Sequence, residues 1–149
     1  MNRLFTERDN SPGRRKSPRF LARRSVSKWV VVRNQSRGQA PVVRARWCSS
    51  FGCKLRGLSL RRSIPPGTGL LLVEGRDGRW GTAIHMFGML FPLGVVWLDG
   101  KGKVVDMRRA VPWRVYIPKA AARFTLEALP ETLDRVAVGD ILEIADAVA

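Results

Sequence analysis

Side-chain catalysis needs a nucleophile, a base and a group that orients them, and this sequence offers few candidates. His85 is the only histidine, and Glu127, Asp99 and Asp106 are the acids best placed to assist it. His85 with Glu127 would suit a hydrolase. His85 lies within the apolar stretch AIHMFGMLFPLGVVWL, however, and a solitary histidine there more commonly closes one hydrogen bond at the core or its rim. Glu127 has two readings: a buried carboxylate paired with an arginine such as Arg56, or an exposed acid opposite Leu126. Removing one partner of a buried pair would strand a charge and cost several kcal/mol. No residue is therefore assigned as catalytic, and a binding or accessory role is favoured over an enzyme. Asp99 and Asp140 each stand beside a glycine, where an aspartate commonly forms a turn by accepting from nearby backbone amides. The segment Gly100-Lys101-Gly102 precedes a strand, whereas a phosphate-cradling loop should open a helix.

Metal chemistry and cofactors find no support. A structural zinc site wants about four ligands, and the chain has one histidine and two cysteines, Cys48 and Cys53. Two cysteines are too few for a disulfide framework. They read first as partly buried thiols packing as small hydrophobes, with one short disulfide loop as the alternative in an oxidising compartment.

The formal charge of +15 suggests a nucleic-acid binder until it is located. Residues 1–62 hold 17 Lys/Arg against Glu7 and Asp9, whereas residues 63–149 hold ten basic and ten acidic residues. The excess thus lies entirely in the first part. Residues 1–28 are rich in Arg and Ser, interrupted by Pro12, Gly13 and Pro18, and too poor in apolar residues to offset their ordering entropy. They are predicted to form a disordered basic tail. Nucleic acid or an anionic surface is the partner such an arm would take, although no regular aromatic pattern interleaves its arginines to stack on bases. A secretory leader needs an uninterrupted apolar core of roughly 7–15 residues. None is found in this segment, so the chain as written is expected in the cytoplasm.

The elements that must position the candidates follow from periodicity. Trp29–Arg33 and Pro41–Trp47 read as strands around a turn at 34–38, with Val43, Ala45 and Trp47 facing in and Arg44 and Arg46 facing water. From Ser49 to Leu60 the period changes, with Phe51, Leu55 and Leu58 on one helical face and a serine to cap the start. Leu70–Val73 reads as a short buried strand. The apolar run Ala83–Leu98 is shorter than the ~20 residues of a membrane-spanning helix. Gly88, Pro92 and Gly94 divide it into two buried strands, and the Asp99-Gly100 turn leads into Val104 and Val105 as a hairpin. Arg108–Pro118 is predicted to be an extended connection over the sheet. Arg123–Leu129 alternates with Phe124, Leu126 and Ala128 inward. A helical turn from Pro130 and a last strand at Ile141–Ile144 complete the chain. The predicted fold is mostly β, an antiparallel sandwich or barrel of about seven or eight short strands with one short inserted helix. A folded domain over 29–145 would then lie between the tails 1–28 and 146–149. Its oligomeric state is not legible.

Trp80, Trp113 and Tyr116 fall in irregular or edge segments, where amphipathic rings often line clefts. With Arg56, His85 and Glu127 they form the predicted groove for an unidentified small ligand. The order of short motifs adds to this reading. Arg56-Gly57-Leu58 followed by Arg61, then Gly69-Leu70-Leu71-Leu72, His85-Met86, Pro92-Leu93, Leu98-Asp99, Gly102-Lys103-Val104-Val105, Leu126-Glu127 and Gly139-Asp140 together resemble the DUF192 family of uncharacterised prokaryotic proteins, over roughly Trp29 to Ile144. The resemblance implies a compact jelly-roll-like β domain, and Gly57, Pro92, Asp99, Gly102, Gly139 and Asp140 are expected to serve as turn or structural residues. It implies no reaction, only a groove for a small polar or carbohydrate-like ligand. Many such proteins carry export signals. This chain departs from the pattern where relatives read Met-Lys-Asn-Thr and Pro-Leu-Asp: it has Met86-Phe87-Gly88-Met89 and Pro92-Leu93-Gly94, which are largely apolar.

Overall fold

The computed structural model describes residues 29–147. The basic segment 1–28 and the arm function assigned to it lie outside the described residues. Nine strands and one α-helix follow in the order β1 (Trp29–Asn34), β2 (Ala40–Cys48), α1 (Phe51–Arg56), β3 (Thr68–Gly78), β4 (Ile84–His85), β5 (Leu93–Leu98), β6 (Val104–Ala110), β7 (Val115–Tyr116), β8 (Ala122–Ala128) and β9 (Leu142–Asp146). Seven strands form one sheet, ordered β6-β5-β8-β3-β2-β1-β9, while β4 and β7 pair separately. The sheet curls into a half-barrel, so the mostly β class read from the sequence holds. One pair departs from antiparallel order: β2 and β3 run parallel. Parallel neighbours need a crossover, and α1 with the Pro-Gly loop that follows it supplies one.

The curl brings the two outer strands together at one end. Val104 N–H donates to Asp140 O (2.8 Å), Gly139 N–H to Val104 O (2.8 Å) and Leu142 N–H to Gly102 O (2.8 Å). Gly102 (φ +84°) and Gly139 (φ +96°) adopt a backbone region that side chains disfavour, which is why glycine serves at both turns. Asp99 Oδ1 accepts from Lys101 N–H and Lys103 N–H, holding the β5–β6 hairpin.

Both faces of the sheet are covered. Val32, Val43, Leu71, Val96, Phe124 and Leu126 pack on one side in one core. Leu70, Val95 and Trp97 point the other way, into a second core with Leu58, Ile64 and Met86. Consequently β5 is buried at all six positions. On β8 the face opposite Phe124 is also buried, so Thr125 and Glu127 sit inside the protein.

Several segments differ from expectation. β3 continues to Gly78 instead of ending at Val73, and β6 reaches Ala110. The first half of the run 83–98 is a two-residue strand followed by turns, because Met86 O accepts from Trp113 N–H and Gly88 takes φ +74°. The cysteines are bonded to each other, Cα to Cα 5.7 Å, which corrects the reading as two thiols. Their separation of five residues lets the helix fold back onto the end of β2.

Candidate functional site

Helix α1 organises the candidate site. Ser50 caps it, its Oγ accepting from Cys53 N–H at 3.2 Å. Gly57 ends it with φ +45°, its N–H donating to Cys53 O. The disulfide ties the same turn to β2. Beyond the helix, Leu60 N–H donates to Gly88 O (3.0 Å), which docks residues 57–60 against the 86–89 turn.

A cavity of about 120 Å³ lies under this junction, and Glu127, His85, Lys54, Glu74 and Gly57 all line it. Lys54 Nζ bonds Glu74 Oε1 at 2.6 Å, linking α1 to β3 across its wall. Neither residue was singled out from sequence; Lys54 and Glu74 are 20 positions apart on different elements, and no local pattern connects them. Glu127 enters from β8, where it pairs in register with Leu70 and Val95. Its residue is buried, and among the described residues no donor bonds its carboxyl. Burial pushes the Glu127 carboxyl up to about 7, since the charged form loses its water without gaining a partner. The pair with Arg56 is not formed. Arg56 lines a neighbouring hollow on the other side of residues 57 and 58.

His85 is exposed on β4 opposite Val115. Its ring stacks on Phe87, centroids 5.3 Å apart at 20°, and Phe87 lies 6.5 Å from Trp113. Trp113, at φ +66°, stands exposed. Tyr116 turns its hydroxyl to the backbone, accepting from Val111 N–H at 2.9 Å. Trp80 is far more exposed and lines a separate hollow made by residues 74–82. The structure therefore brings His85 and Glu127 to one cavity, places Arg56 next door, and leaves Trp80, Trp113 and Tyr116 out of its lining. Pro92 precedes β5, and Asp140 lies at the seam. Among the described residues no group of three or more His, Cys, Asp or Glu converges to hold a metal ion. No helix among them is long and apolar enough to cross a membrane.

Fold and cavity together define a mostly β protein whose curled sheet carries one partly enclosed polar cavity beside a short disulfide-tied helix. The chain belongs to the DUF192 family ("Uncharacterized ACR"), which matches residues 32–144. It is similar to a UPF0127 protein from Thermococcus kodakarensis, 34% identical over 115 residues that cover 75% of this chain and 71% of the relative. A UPF0127 protein from Pyrococcus abyssi is 33% identical over 116 residues, covering 76% and 96%. Among solved structures, one from Sinorhizobium meliloti 1021, described as a "putative transcription regulator", superposes with a TM-score of 0.68 at 22% identity, covering 80% of this chain and 97% of that one. A protein of unknown function from Novosphingobium aromaticivorans superposes at 0.66 and 17% identity, covering 77% and 83%. These likenesses show the fold.

Proposed function

We propose that this chain is a small-ligand-binding module whose site is the cavity under α1, with Glu127 as the recognition group. The observation that carries this reading is the carboxyl itself, buried, facing the cavity and without a bonding partner among the described residues. Burial deprives the carboxyl of most of its water, and a ligand that bonds it offsets that loss. A carboxyl that keeps its proton to about pH 7 both donates and accepts. Such a group suits the neutral amide or hydroxyl end of a ligand. At about 120 Å³ the cavity takes one such polar end, not a whole molecule.

A second reading uses the same cavity: His85 and Glu127 as an acid–base pair for hydrolysis, supported by their common wall. One experiment addresses both. Small amides, alcohols and sugars are screened by thermal shift and ligand-observed NMR at pH 6, and the same compounds are followed for turnover. Binding without turnover that is lost in Glu127→Leu supports the module. Turnover abolished in His85→Ala supports the hydrolase. Binding that Glu127→Leu leaves intact overturns the first reading.

A further inference from the structure

The larger hollow beside α1, about 580 Å³, has a chemistry opposite to that of the Glu127 cavity. Its charged lining comprises Arg46 from β2, Arg56 from α1 and Arg61 beyond the helix, with no Asp or Glu. All three arginines are exposed, and none has a carboxylate partner among the described residues, where the ion pairs are Arg37–Asp140, Lys54–Glu74 and Arg108–Asp106. The bias is regional: residues 29–62 contain eight Lys/Arg and no acid. Two hydroxyls also line the hollow but are already bonded to backbone, Ser50 Oγ to Cys53 N–H and Thr68 Oγ1 to Pro65 O at 2.6 Å. Guanidinium groups donate and never accept. The array therefore matches an anion rich in acceptor oxygens, and a neutral sugar would leave the positive charges unmatched.

The floor is not polar. Leu58, Ile64 and Leu70, each about 5–6% exposed, form it, and Trp29 closes one side with the Arg44 guanidinium 5.2 Å from its ring. An inorganic oxyanion would occupy little of this volume and would leave that apolar surface wet. The volume lies within the range of small-molecule sites, roughly 300–1,000 Å³. Arginine pairs with phosphate by paired N–H···O bonds.

We propose that this hollow binds a small phosphate monoester carrying a planar ring, of the nucleoside monophosphate class, with the phosphate against Arg46, Arg56 and Arg61 and the ring over the apolar floor beside Trp29. The site is separate from the Glu127 cavity and stands or falls without it. Isothermal titration of the full chain with adenosine 5′-monophosphate, ribose 5-phosphate and adenosine tests both halves. The monophosphate should bind at a single saturable site, and each fragment at least about tenfold more weakly. The combined Arg46→Gln, Arg56→Gln, Arg61→Gln variant alters only exposed side chains and should fold with an unchanged melting temperature. It should weaken the monophosphate about tenfold or more, while the combined Arg76→Gln, Arg109→Gln, Arg114→Gln variant, the same charge change at exposed positions outside the hollow, leaves affinity intact. Equal binding by parent and triple variant would overturn the site and assign any signal to other cations of the chain. Equal affinity for ribose 5-phosphate and the nucleotide would overturn the ring half. Absence of saturable binding would overturn the whole.

Discussion

Two carboxyl environments in this protein, one half-buried and one buried, are set in opposite directions. At the seam where β9 begins, Asp140 accepts from Asn34 Nδ2 at 2.7 Å, Arg37 Nε at 3.1 Å and Ala137 N–H at 3.0 Å. The bond from Asn34 is the largest cause holding its carboxyl below the usual value, and burial opposes it only in part. Under α1, Glu127 has burial alone, and its carboxyl rises to about 7. The first group is consumed by structure, fixing the end of β1 to the turn before β9. The second is kept in a costly state with nothing in the described residues bonded to it. Stability alone would favour an apolar residue at 127, so the contrast separates a carboxylate that builds the fold from one that the fold leaves unbonded among the described residues.

The largest expected effect tests that contrast at Glu127. A carboxyl whose folded value lies above its ordinary 4.5 favours the folded state below that point and progressively disfavours it up to about pH 7. Glu127→Gln should therefore stabilise the protein at pH 8 by up to about 3 kcal/mol, with the gain vanishing near pH 4. Urea unfolding across pH checks this, and equal stability at pH 8 would show that the carboxyl is solvated. Asp140→Ala should give the opposite sign. It strands Asn34 and the Ala137 amide, costing about 2 kcal/mol at neutral pH. Because the folded value of Asp140 is lowered, the bonded carboxylate stabilises above its ordinary range and loses that contribution as pH falls through the lowered value. The smallest effect concerns the wall of the cavity: Ser50→Ala removes the cap of α1 and should cost about 1 kcal/mol. If the helix positions the site, the same change also weakens any ligand that depends on Glu127.

Much of the fold was legible because its signals are local. Strands β1 and β2, the capped helix, the Asp99 hairpin and the helical turn from Pro130 each carry their own alternation, cap or breaker. What was not legible depends on the second layer. The alternation of β8 placed Glu127 opposite Phe124, yet nothing in RFTLEAL reveals that residues from 57 to 93 cover that second face. The same applies to His85, whose apolar neighbours suggested an inner strand. Met86 and Trp113 instead close a small separate ladder, and the histidine is left at its exposed edge. The cysteine pair turned on a five-residue spacing that only the fold-back of α1 converts into a bond. Arg56 was singled out for the wrong cavity, and nothing local in the sequence joins it to Arg46 and Arg61, which lie on a strand and a loop. Their common hollow is a product of the parallel crossover.

The pairing of β1 with β9 has a kinetic consequence. Val32 lies opposite Ile144, so the first strand has its outer neighbour only after more than a hundred intervening residues have been made and arranged. Contacts so distant along the chain are slow to form. Assembly should thus stall with the barrel's last stave missing, and the rate of closure, followed by stopped-flow refolding, should be limited by the search of the C-terminal segment for that edge.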